Sequence, residues 1–242
     1  MEHGILLSAD DIDFMIHGIM KYSFFGHEVW ITTTHVCILI VMLILIGFAV
    51  AANRCMAKAS EVPTGFQNVV ELIVEKLDGM VDGSMGKGAP HFYNYIGTIF
   101  IFILVSNVSG LLGLRPPTAD YGVTLPLGIL TFVMIYFNQF KYQSLKDIWI
   151  DLCSPLPPWL PIWVPVNLIG NFAVPISLSL RMFANILSGT VMMALVYGLM
   201  GWVAVIWPAA LHAYLDIFSG AIQTYVFCML TMTYISNARG DN

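Results

Sequence analysis

Charge is what this sequence has least of. Its 242 residues include 10 Lys and Arg and 15 Asp and Glu, 10% together, against about a quarter in an ordinary soluble domain. Hydrophobic residues make up 58%, and mean hydropathy is +0.79. A water-soluble particle of this size is excluded, because so much apolar side chain cannot all be turned inward. Basic runs are missing as well: a net charge of -5 with scattered bases leaves no footprint for nucleic acid. Cysteine is sparse, and Cys37, Cys55, Cys153 and Cys228 have no paired spacing. Free thiols packed as small hydrophobes are expected, with no disulfide framework and no structural metal site. A Gly-rich phosphate loop with its Lys is also absent, so the chain makes no phosphate bond itself, and no cofactor is expected. The start lacks the basic residues and apolar run of a secretory leader. Its acidic residues Glu2, Asp10, Asp11 and Asp13 fit a non-cytoplasmic end.

Long apolar sequence is what the chain does have. Residues 29–53, 88–114, 121–140, 152–180, 182–215 and 217–238 contain no Asp, Glu, Lys or Arg, in stretches of 25, 27, 20, 29, 34 and 22 residues. About 20 apolar helical residues cross a hydrocarbon core of roughly 30 Å, so each stretch has room for a span. The stretches are continuous in Ile, Leu, Val, Met and Phe and lack the period-two alternation of a membrane barrel, so helices are predicted. The fold class is all-α, a polytopic membrane protein with five transmembrane helices and one amphipathic helix on the membrane surface.

Residues 1–28 read as a non-cytoplasmic segment and 29–242 as a single membrane domain. Spans are predicted at about 30–51, 92–114, 123–140, 162–197 and 203–236. Between the first two, Phe66, Val69, Val70, Ile73, Leu77, Met80 and Val81 recur at helical spacing, while Gln67, Glu71, Glu75, Asp78 and Asp82 line the opposite side. This predicts a surface-lying helix over about 63–85; a small cytoplasmic helix packed on its neighbours is the alternative. Arg54, Lys58, Lys76, Lys87, Lys141 and Lys146 fall on one side of the resulting topology and Arg115 alone on the other. The side rich in Lys and Arg is cytoplasmic, which puts the N-terminus outside and the C-terminus inside.

Residues 152–238 hold only Arg181 and Asp216 as charges. Three ordinary spans or two long ones fit that length. Gly198, Gly201 and Pro208 cluster near the middle, with no equivalent near 180 or 220, which favours two. Each would be about 35 residues, or roughly 52 Å. Such rods cross the bilayer only when strongly tilted or bent, so a large partner is needed to hold them.

Arg181 is the costly residue in this stretch. An arginine at mid-bilayer costs at least about 2.5–3.5 kcal/mol on insertion scales and does not neutralise. Ser177, Asn185 and Ser188 lie at minus four, plus four and plus seven from it, forming one polar stripe. The next helix carries His212, Asp216, Gly220 and Gln223 as a second stripe. Together they supply the parts of a proton or cation path; a buried Arg181–Asp216 salt bridge that only fixes packing is the alternative. Asn107 in the second span and Asp120 beyond it either join the path or act as interhelical glue and a solvated loop acid.

Four runs carry a resemblance: SLRMFANILSG around Arg181, GAIQTYVFCMLTMTYI around Gln223, FIFILVSNVSGLLGL with PTAD behind it, and VPTGFQNVVE at the surface helix. Taken along the chain they fall in that family's order, and over about residues 30–236 they resemble the a subunit family of F-type ATP synthases. The resemblance implies a non-catalytic stator subunit beside a rotating ring of c subunits, held with peripheral-stalk b subunits in the complete ATP synthase within membrane lipid. It implies a bacterial cell membrane location and translocation of H+, with Na+ as the alternative ion. The family's arginine matches Arg181, its associated Asn and Gln match Asn185 and Gln223, and Asp120 matches a polar position of the non-cytoplasmic half-channel. Many members carry Glu or His where this chain has Thr190, and His or Glu where it has Asp216. The outer carboxylate and imidazole are therefore expected from Asp216 and His212 on one helix. An ion-coupled secondary transporter is the reading from another class, but the internal repeats such proteins carry are not evident.

Overall fold

The computed structural model describes residues 18–24, 27–57, 65–86, 91–112, 115–153, 163–200 and 207–240. The acidic residues at 2–13, Lys58, Lys87 and Gly201 lie outside them, as does the side chain of His212. Two strands come first, β1 (Gly18–Phe24) and β2 (His27–Thr32), paired antiparallel with Tyr22 opposite Val29 and an irregularity between Gly18 and Met20. They add one short hairpin ahead of an otherwise all-α membrane chain. Tyr22, Val29, Trp30 and Ile31 supply strand-forming residues ahead of the long apolar run, a pairing the search for helical spans overlooks.

The remainder is helical: α1 (Thr33–Met56), α2 (Phe66–Met85), α3 (Phe92–Val108), α4 (Tyr121–Tyr142), α5 (Leu145–Cys153), α6 (Val164–Met200), α7 (Trp207–Tyr214) and α8 (Gly220–Arg239). Short 3-10 turns at Ser109–Leu112 and Pro117–Ala119 join α3 to α4, and a π-helical turn at Leu215–Ser219 joins α7 to α8 without a gap. Among the described residues, five helices are long and apolar enough to cross a membrane. α6 runs for 37 residues, so the last long apolar stretch holds two spans rather than three. The helix α5, with exposed Trp149 and Ile150, was not anticipated.

The core lies among α2, α3, α6 and α8, where Val81, Ile96, Ile103, Met182, Phe227 and Met232 are fully or almost fully buried. α1 stands at the edge, with only Thr34, Cys37 and Val41 buried and its Leu and Ile side chains facing outward, as a lipid-facing helix does. α2 packs Val70, Val81 and Met85 inward and leaves Phe66, Val69, Leu72 and Val74 exposed. Gln67 departs from the expected polar face: it is buried, and its Nε2 donates to Glu71 Oε1 at 2.7 Å. The Tyr93 hydroxyl donates to Asp82, tying α3 to the polar side of α2. At the end of α8 the Arg239 guanidinium lies 5.1 Å from the Tyr142 ring centre and 5.9 Å from that of Phe92. All four cysteines are free thiols.

α4 and α6 approach closely because Gly128 faces Pro175. A Cβ on Gly128 would stand 2.5 Å from the Pro175 carbonyl oxygen and 3.3 Å from Ser179 Cβ, so only glycine fits. That contact buries the Leu178, Ser179 and Met182 side of α6 and turns the opposite side, with Arg181, outward.

Candidate functional site

The end of α3 and the 3-10 turn ahead of α4 are stitched to the start of α8 by one amide. Asn107 is 2% exposed. Its Nδ2 donates to the Gly220 carbonyl at 3.1 Å and to Thr224 Oγ1 at 3.3 Å, while its Oδ1 accepts from Thr118 Oγ1 at 2.7 Å. Gly220 permits this approach, since a Cβ there would lie 2.9 Å from Asn107 Cβ. A buried amide satisfied at both ends holds three chain segments in register.

Beside this knot is a cavity of about 540 Å³ whose walls include Asn107, Gly110, Asn185, Ser188, Thr190 and Asp216. The Asn185 Oδ1 accepts from Ser219 Oγ at 3.0 Å and bridges α6 to the π turn. Ser188 and Thr190 each return their hydroxyls to their own helix, at Asn185 O and Ile186 O. Asp216 points at the chain turn after α3: a Cβ on Gly110 would meet Asp216 Oδ2 at 2.8 Å and Pro116 Cγ at 3.2 Å. Glycine at 110 is what lets a carboxylate lie against the backbone there.

Among the candidates, Asn107, Asn185, Ser188 and Asp216 therefore line one cavity. Asp120 does not line it; its carboxylate caps α4 by accepting from Gly122 N at 2.9 Å, next to Ala119, which does. His212 stands in α7, one turn before Asp216. Gln223 is buried at 8% exposure, and its Nε2 has no hydrogen-bond partner among the described residues. Ser219 was missed, although its place three residues after Asp216 was a usable signal.

The second polar stripe is also broken where the sequence made it continuous. Leu215–Ser219 is π-helical, so the turn holds more residues than an α turn and the face that follows is rotated. Asp216, Ser219 and Gly220 line the cavity while Gln223 does not. This is a common place for such a turn, at a polar site inside a helix.

Arg181 lies elsewhere. It is exposed on α6 and has no ion pair or hydrogen bond among the described residues, so the packing salt bridge to Asp216 is not formed. Its neighbours on the same face are the exposed Ser177, Ala184, Ser188 and Val191. At the other end of α6 is a second cavity, of about 300 Å³, walled by the amides of Gln139, Gln143, Asn167, Asn171 and Asn237 and by Tyr136. Asn171 precedes Arg181 by ten residues and Ser188 follows it by seven, or about 15 Å and 10 Å along the helix.

The "ATP synthase A chain" family matches residues 35–236. The chain is 32% identical over 246 aligned residues to "ATP synthase subunit a, sodium ion specific" of Propionigenium modestum, covering 95% of this chain and 81% of the relative. It is 32% identical over 234 residues to "ATP synthase subunit a 2" of Syntrophotalea carbinolica, covering 96% and 94%. Against "ATP synthase subunit a" of Anoxybacillus flavithermus it is 30% identical over 244 residues, covering 92% and 98%. A five-span, multi-pass membrane chain matched over nearly its whole length belongs to the ATP synthase A chain family and is a membrane subunit of the F-type ATP synthase.

Proposed function

We propose that this subunit is the stator of the membrane sector, giving ions two separate half-channels to a rotating c-subunit ring, with b subunits of the peripheral stalk holding it still. The observation that carries this reading is the order of features along α6. A polar cavity lies at each end, and Arg181 stands between them on an exposed face. An arginine facing lipid would be costly. Small residues at Ser177, Ala184 and Ser188 let another helix come close to it. A rotor carboxylate answers both requirements.

The physics then follows. A rotor carboxylate turned to lipid must be neutralised by its ion, because a bare charge is too costly there. Beside Arg181 the ionised form is stabilised and the ion leaves. Asp216, His212, Asn107 and Asn185 form the outer path, with Asp120 at its rim, and the amide-walled cavity forms the inner one. Gln223 and Ser177 complete the polar surroundings of Arg181. The membrane domain spans 29–242, with residues 1–28 and the α3–α4 turn outside, the C-terminus inside, and α6 to α8 strongly tilted against the ring. α2 lies on the membrane surface, with Phe66, Val69 and Leu72 toward lipid.

The ion is H+ in this reading, passed by Asp216 and His212. Na+ is the second reading, favoured by the 32% identity to a relative named as sodium ion specific. Family membership leaves no place for the secondary transporter. The test is cross-linking in the assembled enzyme with native cysteines replaced. Ala184→Cys is expected to join a cysteine placed beside the rotor carboxylate, while Val133→Cys on the exposed side of α4 is not. Cross-linking at 133 and none at 184 would overturn the docking face. ATP-driven pumping measured with Na+ varied at fixed pH decides the ion: indifference supports H+, and dependence supports Na+.

A further inference from the structure

Arg115 is the base that breaks the charge rule, alone on the side opposite the lysine-bearing loops. Its place in the fold gives a reason. It is half-buried and lines the same cavity as Asp216. Its backbone is fixed from the next residue on: Pro116 and Pro117 restrict the chain, Ala119 N donates to Pro116 O at 2.9 Å, and Thr118 is bonded to the buried Asn107. Pro116 and the Asp216 carboxylate meet over the same glycine, Gly110. The turn that carries the guanidinium is thus anchored to the wall against which the carboxylate lies.

We propose that Arg115 is a positioning residue for ion uptake, holding the Asp216 carboxylate oriented in the outer cavity. The groups facing Asp216 leave this role to it. From α3 and the following turn come Asn107 and Gly110, and from α6 come Asn185, Ser188 and Thr190, none of which titrates. Among the described residues lining the cavity, Arg115 and Asp216 are the ionisable ones; His212 stands one turn back on α7. A guanidinium keeps its charge at every working pH, so it offsets the carboxylate permanently. The cavity is then balanced overall, and a cation entering it is received by Asp216 without being held by an uncompensated negative site.

This inference rests on Asp216 belonging to the outer path, and the experiment separates the two. ATP synthesis is measured in proteoliposomes of the assembled enzyme while the outer-side pH is varied, for Arg115→Gln, Arg115→Lys and Asp216→Asn. Without the cation the carboxylate loses its fixed partner charge, so the Arg115→Gln profile is expected to be displaced from the parent's by about 1 unit. Arg115→Lys is expected to keep the parent profile. A slower Arg115→Gln enzyme with an unmoved profile would reduce Arg115 to a structural residue and overturn the inference. If Asp216→Asn also matched the parent in rate and profile, the reading of the outer path itself would fail. Should Arg115→Gln not assemble, the neutral Arg115→Met decides by the same measure: a displaced profile supports the role, and an unmoved one overturns it.

Discussion

Asn107 shows how one side chain can be both tie and wall. Its three hydrogen bonds join α3, the Thr118 turn and α8, and its side chain also borders the polar cavity. The two readings open at the sequence level, glue or conduit, are therefore not exclusive. Asp216 and His212 are distinguished by function instead. A half-buried carboxylate with an imidazole one turn away along the chain is a donor and acceptor pair for passing a proton. In assembled enzyme, Asp216→Asn is expected to lose ATP-driven pumping, and His212→Gln to pump with a displaced pH profile, while Thr190→Ser stays near the parent. Parental rates and profiles in both variants would take the pair out of the path. The sequence exposed these residues because charges and amides are conspicuous in apolar helix. It hid Ser219 and the cavity that Ser219 shares with Arg115, since a serine is ordinary taken singly and Arg115 stood out only as the base against the charge rule.

At the scale of elements, α6 is positioned by its contact with α4. Gly128→Val places branched carbon where the Pro175 carbonyl stands, 2.5 Å from the first added atom. Overpacking of this kind costs about 1–3 kcal/mol, so lower thermal stability in detergent and less assembled complex are expected. Parental stability would show that the two helices are not held at this distance. The long helices themselves were legible, because a charge-free stretch and a Gly/Pro cluster both have direct physical meaning in a membrane. Register inside α7–α8 was not. A π turn leaves no periodic mark in a uniformly apolar run, so the regular i, i+4 stripe through Asp216 to Gln223 failed at Leu215–Ser219. Burial of Gln67 was equally hidden, because its partner Glu71 lies on the same helix and a polar pair reads as a solvated face. The β1–β2 pairing escaped for a different reason: it depends on contacts between two short segments rather than on one long one.

For the whole molecule, the lysine-bearing loops set the orientation proposed above. Cysteine introduced near Asp11 and in the 119–122 turn is expected to label from outside in intact cells. Cysteine near Lys146 or Asn242 is expected to label only after permeabilisation, with native cysteines replaced in each case. External labelling at the C-terminus would invert that half of the topology. Coupling is also a property of the whole chain. Each charge moved down 100 mV supplies about 2.3 kcal/mol, and that energy is captured only if no ion slips directly between the two cavities. In the reading proposed above, Arg181 stands where such a slip would occur. The decisive measurement is ATP synthesis by assembled Arg181→Ala enzyme in proteoliposomes, beside its soluble-sector ATPase activity. Synthesis and ATP-driven pumping are expected to fall to background while the ring remains assembled and ATP hydrolysis persists; an assembled R181A enzyme that synthesised ATP at the parental rate would contradict the role assigned to Arg181.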